Sequence, residues 1–122
     1  MKILNLTQHK ASDEQVAAGV VDLGETQKKE LSKLLTFDHL PSETEMCTRA
    51  IQIAQIAYEE WAMRAMIGGA PFFMSHLEDA LKVRAIAPLY AFSRRESREE
   101  KMEDGSIKKS SVFRHLGFVP AK

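Results

Sequence analysis

Between Arg64 and Met74 the chain reads Arg-Ala-Met-Ile-Gly-Gly-Ala-Pro-Phe-Phe-Met. A short apolar run, a pair of glycines and a helix with proline in its first turn follow one another with no spare residues. That order predicts a buried strand delivered directly into a helix, the junction from which α/β sheets are assembled. Such a junction lies at the carboxyl end of a strand, where open sheets bind ligands. Gly68 and Gly69 allow a backbone to approach a bound group, and the amides of Ala70 and Phe72 at the head of the helix favour an anion. The commoner use of a glycine pair is simply a tight strand-to-helix turn.

The pattern extends to either side. Lys2 to Thr7 is rich in Ile and Leu, as expected of a central strand buried on both faces. Ser12 with Gln15 forms a capping box for a short helix that ends near Gly19, and Val20 to Leu23 is a second strand. Thr26 to Leu35 reads as an exposed helix, and Asp38 to Pro41 as a loop. Ser42 with Glu45 starts the longest helix, to about Met63. Its expected inner stripe is Met46, Ala50, Ile53, Ala57 and Trp61, widened by Cys47, Ile51, Ala54 and Tyr58. A helix over Pro71 to Arg84 faces inward with Phe73, Leu77, Ala80 and Leu81, proline at its start being compatible with helix geometry. Leu89 to Ser93 is a further strand. It runs to Met102, turns at Asp104-Gly105 and returns from Ile107 to Val119, a hairpin signal. A two-residue turn would set Glu100 opposite Lys109 and Glu96 opposite Phe113. Strands separated by helices, closed by a hairpin, give one three-layer α/β domain over residues 1–122 with a mainly parallel, Rossmann-like sheet.

Composition narrows the function. The 122 residues are 44% hydrophobic and 28% charged, which fits a folded chain with a core of ordinary size. Met1 to Leu6 does not read as a signal peptide, and no apolar run is long enough for a bilayer, so a cytoplasmic protein without membrane contact is expected. Cys47 is the single cysteine, which excludes an internal disulfide; on an apolar stripe it reads as a structural thiol. No His, Cys, Asp and Glu group has metal-ligand spacing, so neither a metal nor a cofactor is expected. The third glycine and the ribose-reading acid of a dinucleotide site are absent, as is the Gly-Lys-Ser/Thr of a phosphate loop. Net charge is zero, yet the C-terminal third is basic, including Arg94, Arg95, Arg98, Lys108 and Lys109. Local attraction of phosphates follows from that asymmetry, whereas the interleaved Glu96, Glu99 and Glu100 argue against long nucleic acid.

Three strand ends are expected to meet at one rim of the sheet. Thr7, Gln8, His9 and Lys10 follow the first strand. Gly68, Gly69, Ala70 and Phe72 follow the middle one, and Ser93, Arg94 and Arg95 follow the Pro88 strand. Hydroxyls, backbone amides, an imidazole and guanidinium groups form a phosphate-binding inventory. His9 is the candidate catalytic residue, because its ordinary pKa is near neutrality. Thr7, Gln8, Gly68, Gly69, Ala70, Phe72, Ser93 and Arg94 are the candidate ligand contacts. The alternative uses are a loop-bonding histidine, a cap for Thr7, and a solvated strand edge for the arginines.

The opening Ile3-Leu4-Asn5-Leu6-Thr7-Gln8-His9-Lys10-Ala11-Ser12-Asp13-Glu14-Gln15, with the Met66-to-Pro71 turn and the closing hairpin, resembles small CRISPR-associated and phage proteins of Rossmann-like fold. Within that set it looks like the ring-nuclease group, some of which bind or cleave cyclic oligoadenylate messengers. The resemblance implies ligand contacts at Thr7 and His9 and a phosphate at the Gly68-Gly69 turn. The resulting expectation is a homodimer that binds a phosphate-bearing nucleotide such as a cyclic oligonucleotide. If it is an enzyme, it would be a metal-independent phosphodiesterase in which the substrate's own 2′-hydroxyl attacks, positioned by amides and arginines. The alternatives are a non-enzymatic phage or prophage protein that sequesters a ligand or blocks a host partner, and a nucleic-acid-binding module.

Overall fold

The computed structural model describes residues 2–122. Its elements run β1 (Ile3–Leu6), α1 (Asp13–Ala17), β2 (Val20–Val21), α2 (Glu25–Leu35), α3 (Glu43–Glu59), β3 (Arg64–Ile67), α4 (Pro71–Val83), β4 (Ala87–Lys101) and β5 (Ile107–Pro120). The five strands form one sheet in the order β2-β1-β3-β4-β5. The first four lie parallel to their neighbours and β5 returns antiparallel to β4. This is an α/β fold with a mainly parallel sheet and a C-terminal hairpin. β3, with Asn5 beside Met66 on one flank and Leu89 beside it on the other, occupies the centre. β1 is buried at all four positions although it lies second from the edge.

Local chemistry sets the helix starts. Ser12 and Gln15 complete a reciprocal capping box at α1. At α3 only half a box forms: Ser42 accepts from the Glu45 amide, while the Glu45 carboxylate turns away to Arg49 at 2.8 Å and His39 at 3.0 Å. Pro71 opens α4, where its missing N–H costs nothing. Arg49 closes α2 from outside. Its guanidinium donates to the carbonyls of Lys33, Leu34 and Thr36 and lies over the Phe37 ring at 4.4 Å. Orphan carbonyls at a helix end thus find a charged donor.

The two faces of the sheet are covered unequally. Leu4, Leu6, Ala65 and Ile67 pack under α2, α3 and α4, around Phe73, Leu77, Leu81 and Ile53. On the opposite face Ile3, Val20, Met66 and Leu89 are closed over, among the described apolar residues, by Ala11 and Phe118. α1 lies on this side and buries no residue.

Several expectations are corrected. The inner face of α3 is Ala50, Ile53, Ala54, Ile56 and Ala57, whereas Cys47, Ile51 and Tyr58 are exposed and Trp61 is 90% exposed beyond the helix end. Only one arc of a helix can reach the sheet; positions 47, 51 and 58 share the other side. β2 is two residues rather than four, and β4 is fifteen, of which only Pro88 and Leu89 are buried. The hairpin register is shifted by one: Glu100 faces Lys108, Glu96 faces Val112 and Phe113 faces Arg95. The Met102 amide bonds the Ser106 carbonyl and the Gly105 amide bonds the Met102 carbonyl, so the loop holds three residues, with Gly105 at φ 86. That left-handed glycine is the mark of a three-residue hairpin loop.

Candidate functional site

Asn5 organises the rim of the sheet. It is the buried polar residue of the described core, 4% exposed within an otherwise apolar strand. Every hydrogen-bonding position of its carboxamide is filled. Oδ1 accepts from the Thr7 amide at 2.9 Å and the Thr7 hydroxyl at 2.7 Å. Nδ2 donates to the His9 carbonyl at 2.8 Å and to the Asp22 carboxylate at 2.8 Å. A fully satisfied buried amide fixes its partners rather than costing stability. Asp22 also accepts from the Ala11 amide at 3.2 Å, so the segment from Thr7 to Ala11 is tied at both ends. Burial pushes the Asp22 carboxyl upward, but the bonds from Asn5 and Ala11, with the charges of Lys28 and Lys10, hold it below its ordinary value.

This knot bends the chain so that Gln8, His9 and Lys10 project as exposed side chains. Beneath them opens a crevice of about 400 Å³, lined by Thr7, Gln8, His9, Lys10, Gln15, Met66, Ile67, Gly68, Gly69, Tyr90 and Ala91. Its position, at the carboxyl ends of β1 and β3, is the usual ligand position of an open parallel sheet. Gly69 has φ 153, which requires glycine, and Gly68 packs near the Thr7 methyl. Ala70 occupies the N-cap of α4 and contributes no side-chain bond to the helix amides. Tyr90 forms the far wall; its hydroxyl donates to Glu78 on α4, and burial together with that carboxylate pushes its pKa strongly upward.

The structure therefore brings together Thr7, Gln8, His9, Gly68 and Gly69. It sets the remaining candidates elsewhere. Ala70 packs against the larger core, and Phe72 stacks edge-on to Phe37 with centroids 5.2 Å apart. Ser93 sits opposite His115 beyond a register shift in the hairpin, and Arg94 pairs with Glu96 at 3.2 Å. β4 contributes Tyr90 and Ala91 to the crevice instead, because the strand reaches the rim earlier than its apolar run suggests. Thr7 lines the crevice with its hydroxyl engaged by Asn5, whereas the His9 imidazole has no hydrogen-bond partner among the described residues. Lys10 supplies the cation. Asn5 carried a readable signal: a lone carboxamide inside Ile-Leu-Asn-Leu must find partners if the strand is buried.

No helix among the described residues is long and apolar enough to cross a membrane. A family model described as "Uncharacterized protein MJ1673 family" matches residues 1–119, and the chain belongs to that family. No curated protein and no solved structure matches the chain. Neither result ties it to the CRISPR-associated or phage proteins that its opening resembles.

Proposed function

We propose that this member of the MJ1673 family binds a phosphate-bearing nucleotide in the crevice between the Thr7–Lys10 loop and the Gly68-Gly69 turn. The observation that carries the reading is the shared rim. A rigid loop presents His9 and Lys10 across from a glycine turn that leads into an uncapped helix start. A crevice of about 400 Å³ lies within the range of small-molecule sites, roughly 300–1,000 Å³. Lys10 would meet a phosphate, Tyr90 would flank a base, and His9 would be the proton-transfer group if the ligand is cleaved. Long nucleic acid is disfavoured by the ribbon itself, where Glu99 faces Lys109 and Glu100 faces Lys108. Those lysines are partly neutralised before any phosphate arrives.

The same reading pairs two copies of the chain. β5 is the outermost strand, so its outer edge has no partner strand in the sheet, and Phe113 and Leu116 on it are 71% and 52% exposed. Light scattering on the purified protein would give a dimer mass, against a monomer mass if this pairing is wrong.

A melting-temperature screen against AMP, cyclic dinucleotides and cyclic oligoadenylates tests the ligand. At least one should raise the melting temperature, and Lys10→Ala should weaken its binding by about tenfold or more without unfolding the free protein. Chromatography of the recovered ligand separates capture from cleavage, and His9→Ala should abolish only cleavage. A panel with no stabilising ligand, or a Lys10→Ala protein that binds as the wild type does, removes the reading.

A further inference from the structure

On the opposite side of the helical layer, two short helical repeats face each other. Glu43 and Cys47 are one turn apart on α3, and His76 and Asp79 are nearly one turn apart on α4. The Glu43 carboxylate is 2.9 Å from His76 Nε2 and 4.0 Å from Cys47 Sγ, and the three ligand atoms lie within 4.8 Å of one another. All three line one surface pocket with Ile51, Ser75 and Asp79. The His76 side chain is only 17% exposed, so its ring is held with Nε2 aimed at the group.

We propose that Glu43, Cys47 and His76 form a Zn²⁺ site that clamps α3 to α4 and leaves its fourth position open to water. With tetrahedral angles and ordinary zinc bond lengths, ligand atoms should stand about 3.3 to 3.6 Å apart. The observed 2.9 and 4.0 Å bracket that range and the third separation is within 4.8 Å, so closure asks for a shift of up to about an ångström, which the exposed Glu43 and Cys47 side chains can make by rotation. A thiolate, an imidazole and a carboxylate suit a borderline metal and not Mg²⁺ or Ca²⁺, which take oxygen ligands. Binding replaces the Glu43–His76 contact by two bonds to the ion and releases the thiol proton of Cys47, so affinity should rise with pH. A solvent-open fourth position is the arrangement of sites in which zinc acts on a bound water. The ligands come from two helices far apart in sequence, 43 and 47 against 76, so no local spacing discloses them.

Chelator-treated protein titrated with ZnCl₂ should bind one ion per chain and melt at a higher temperature, with MgCl₂ and CaCl₂ giving no shift. Co²⁺ in place of Zn²⁺ should give a thiolate charge-transfer band together with the visible bands of a tetrahedral ion. Cys47→Ser should remove that band, and Cys47→Ser and His76→Ala should each weaken Zn²⁺ binding by more than tenfold while retaining the wild-type circular dichroism. The proposal is overturned if Zn²⁺ does not bind saturably, if Co²⁺ lacks the thiolate band, or if Cys47→Ser binds Zn²⁺ as the wild type does. The last outcome would assign binding to His39, His9 or His115 instead.

Discussion

β4 belongs to two different kinds of protein along its length. At Leu89 it is flanked by both β3 and β5, and Pro88 and Leu89 are buried; from Ser93 onward it pairs with β5 alone and its side chains meet solvent. In the body, Phe73, Leu77 and Leu81 are fully inaccessible. In the ribbon, Phe113, Leu116 and Ile107 stay more than half exposed. The ribbon from Ser93 to Lys101 extends roughly 30 Å at strand spacing. Its order rests on backbone pairing and cross-strand charges, and a two-stranded ribbon is marginal in water. The contrast teaches that hydrophobic burial stabilises the body and its crevice, while the ribbon needs either the body as an anchor or a second copy as cover.

The largest test of that division is a matched pair of truncations. Phe73→Ala should cost about 3–5 kcal/mol in urea unfolding, because a closed cavity replaces a ring surrounded on all sides. Phe113→Ala should fall within about 0.5 kcal/mol of the wild type for a monomer, as exposed positions do. If Phe113→Ala costs as much as Phe73→Ala, the ribbon is buried in solution and the second-copy reading gains its strongest support.

Next in size comes the knot at the rim. Asn5→Leu removes four hydrogen bonds and leaves the Thr7 and Asp22 groups to water or to nothing, a loss of about 1–3 kcal/mol. Amide exchange should accelerate from Thr7 to Ala11 and not in the ribbon, and the proposed nucleotide binding should fall in parallel. Equal acceleration in both regions would show that the two are one cooperative unit. Acid probes the same knot more gently. Asp22 titrates below its ordinary value of 3.8 in the folded chain, so its contribution is fully present above that pH and is lost as pH falls through the folded value. Asp22→Asn should therefore flatten the acid limb of the stability curve, measured from pH 5 downward by urea unfolding, and a limb of unchanged slope would assign acid sensitivity to other carboxylates.

Much of the body was legible because its signals are local. Ser12, Ser42 and Pro71 mark helix starts through backbone chemistry that tertiary packing does not overrule, and the Gly68-Gly69 turn marks the rim. What could not be read depended on distance or on count. Ile51, Tyr58 and Trp61 carry large hydrophobic side chains as Ile53 does, yet only the arc that meets the sheet is covered, and composition cannot say where that arc ends. The turn at Asp104-Gly105 is legible, but one extra loop residue moves each pair from Ser93 to Lys101 by one, and the irregularity between Phe92 and Ser93 restores the two-residue register for Leu89 to Phe92. Of the candidate contacts, Thr7, Gln8, His9, Gly68 and Gly69 share the crevice because strands β1 and β3 are adjacent and parallel. Ser93 and Arg94 do not, because the strand that carries them has already left the body.

The smallest expected effects compare backbone conformation in the two regions. α3 and α4 both end in a left-handed residue that is not glycine, Trp61 at φ 59 and Ala85 at φ 58. The Ala62 amide bonds the Ala57 carbonyl and the Ile86 amide bonds the Leu81 carbonyl, so each end closes in the six-residue pattern in which glycine is favoured. A side chain in that conformation costs about 1–2 kcal/mol, part of which glycine would return through its freer unfolded chain. Ala85→Gly should accordingly stabilise the body by up to about 1 kcal/mol, since Ala85 is exposed and loses no packing. The ribbon is built the other way, with glycine already at its left-handed position, Gly105 at φ 86. Gly105→Ala should strain the turn by a similar amount, but the loss should register as faster amide exchange in Lys101 and Ile107 and leave global unfolding unmoved. If Gly105→Ala lowers the urea midpoint as far as Ala85→Gly raises it, the ribbon folds and unfolds with the body.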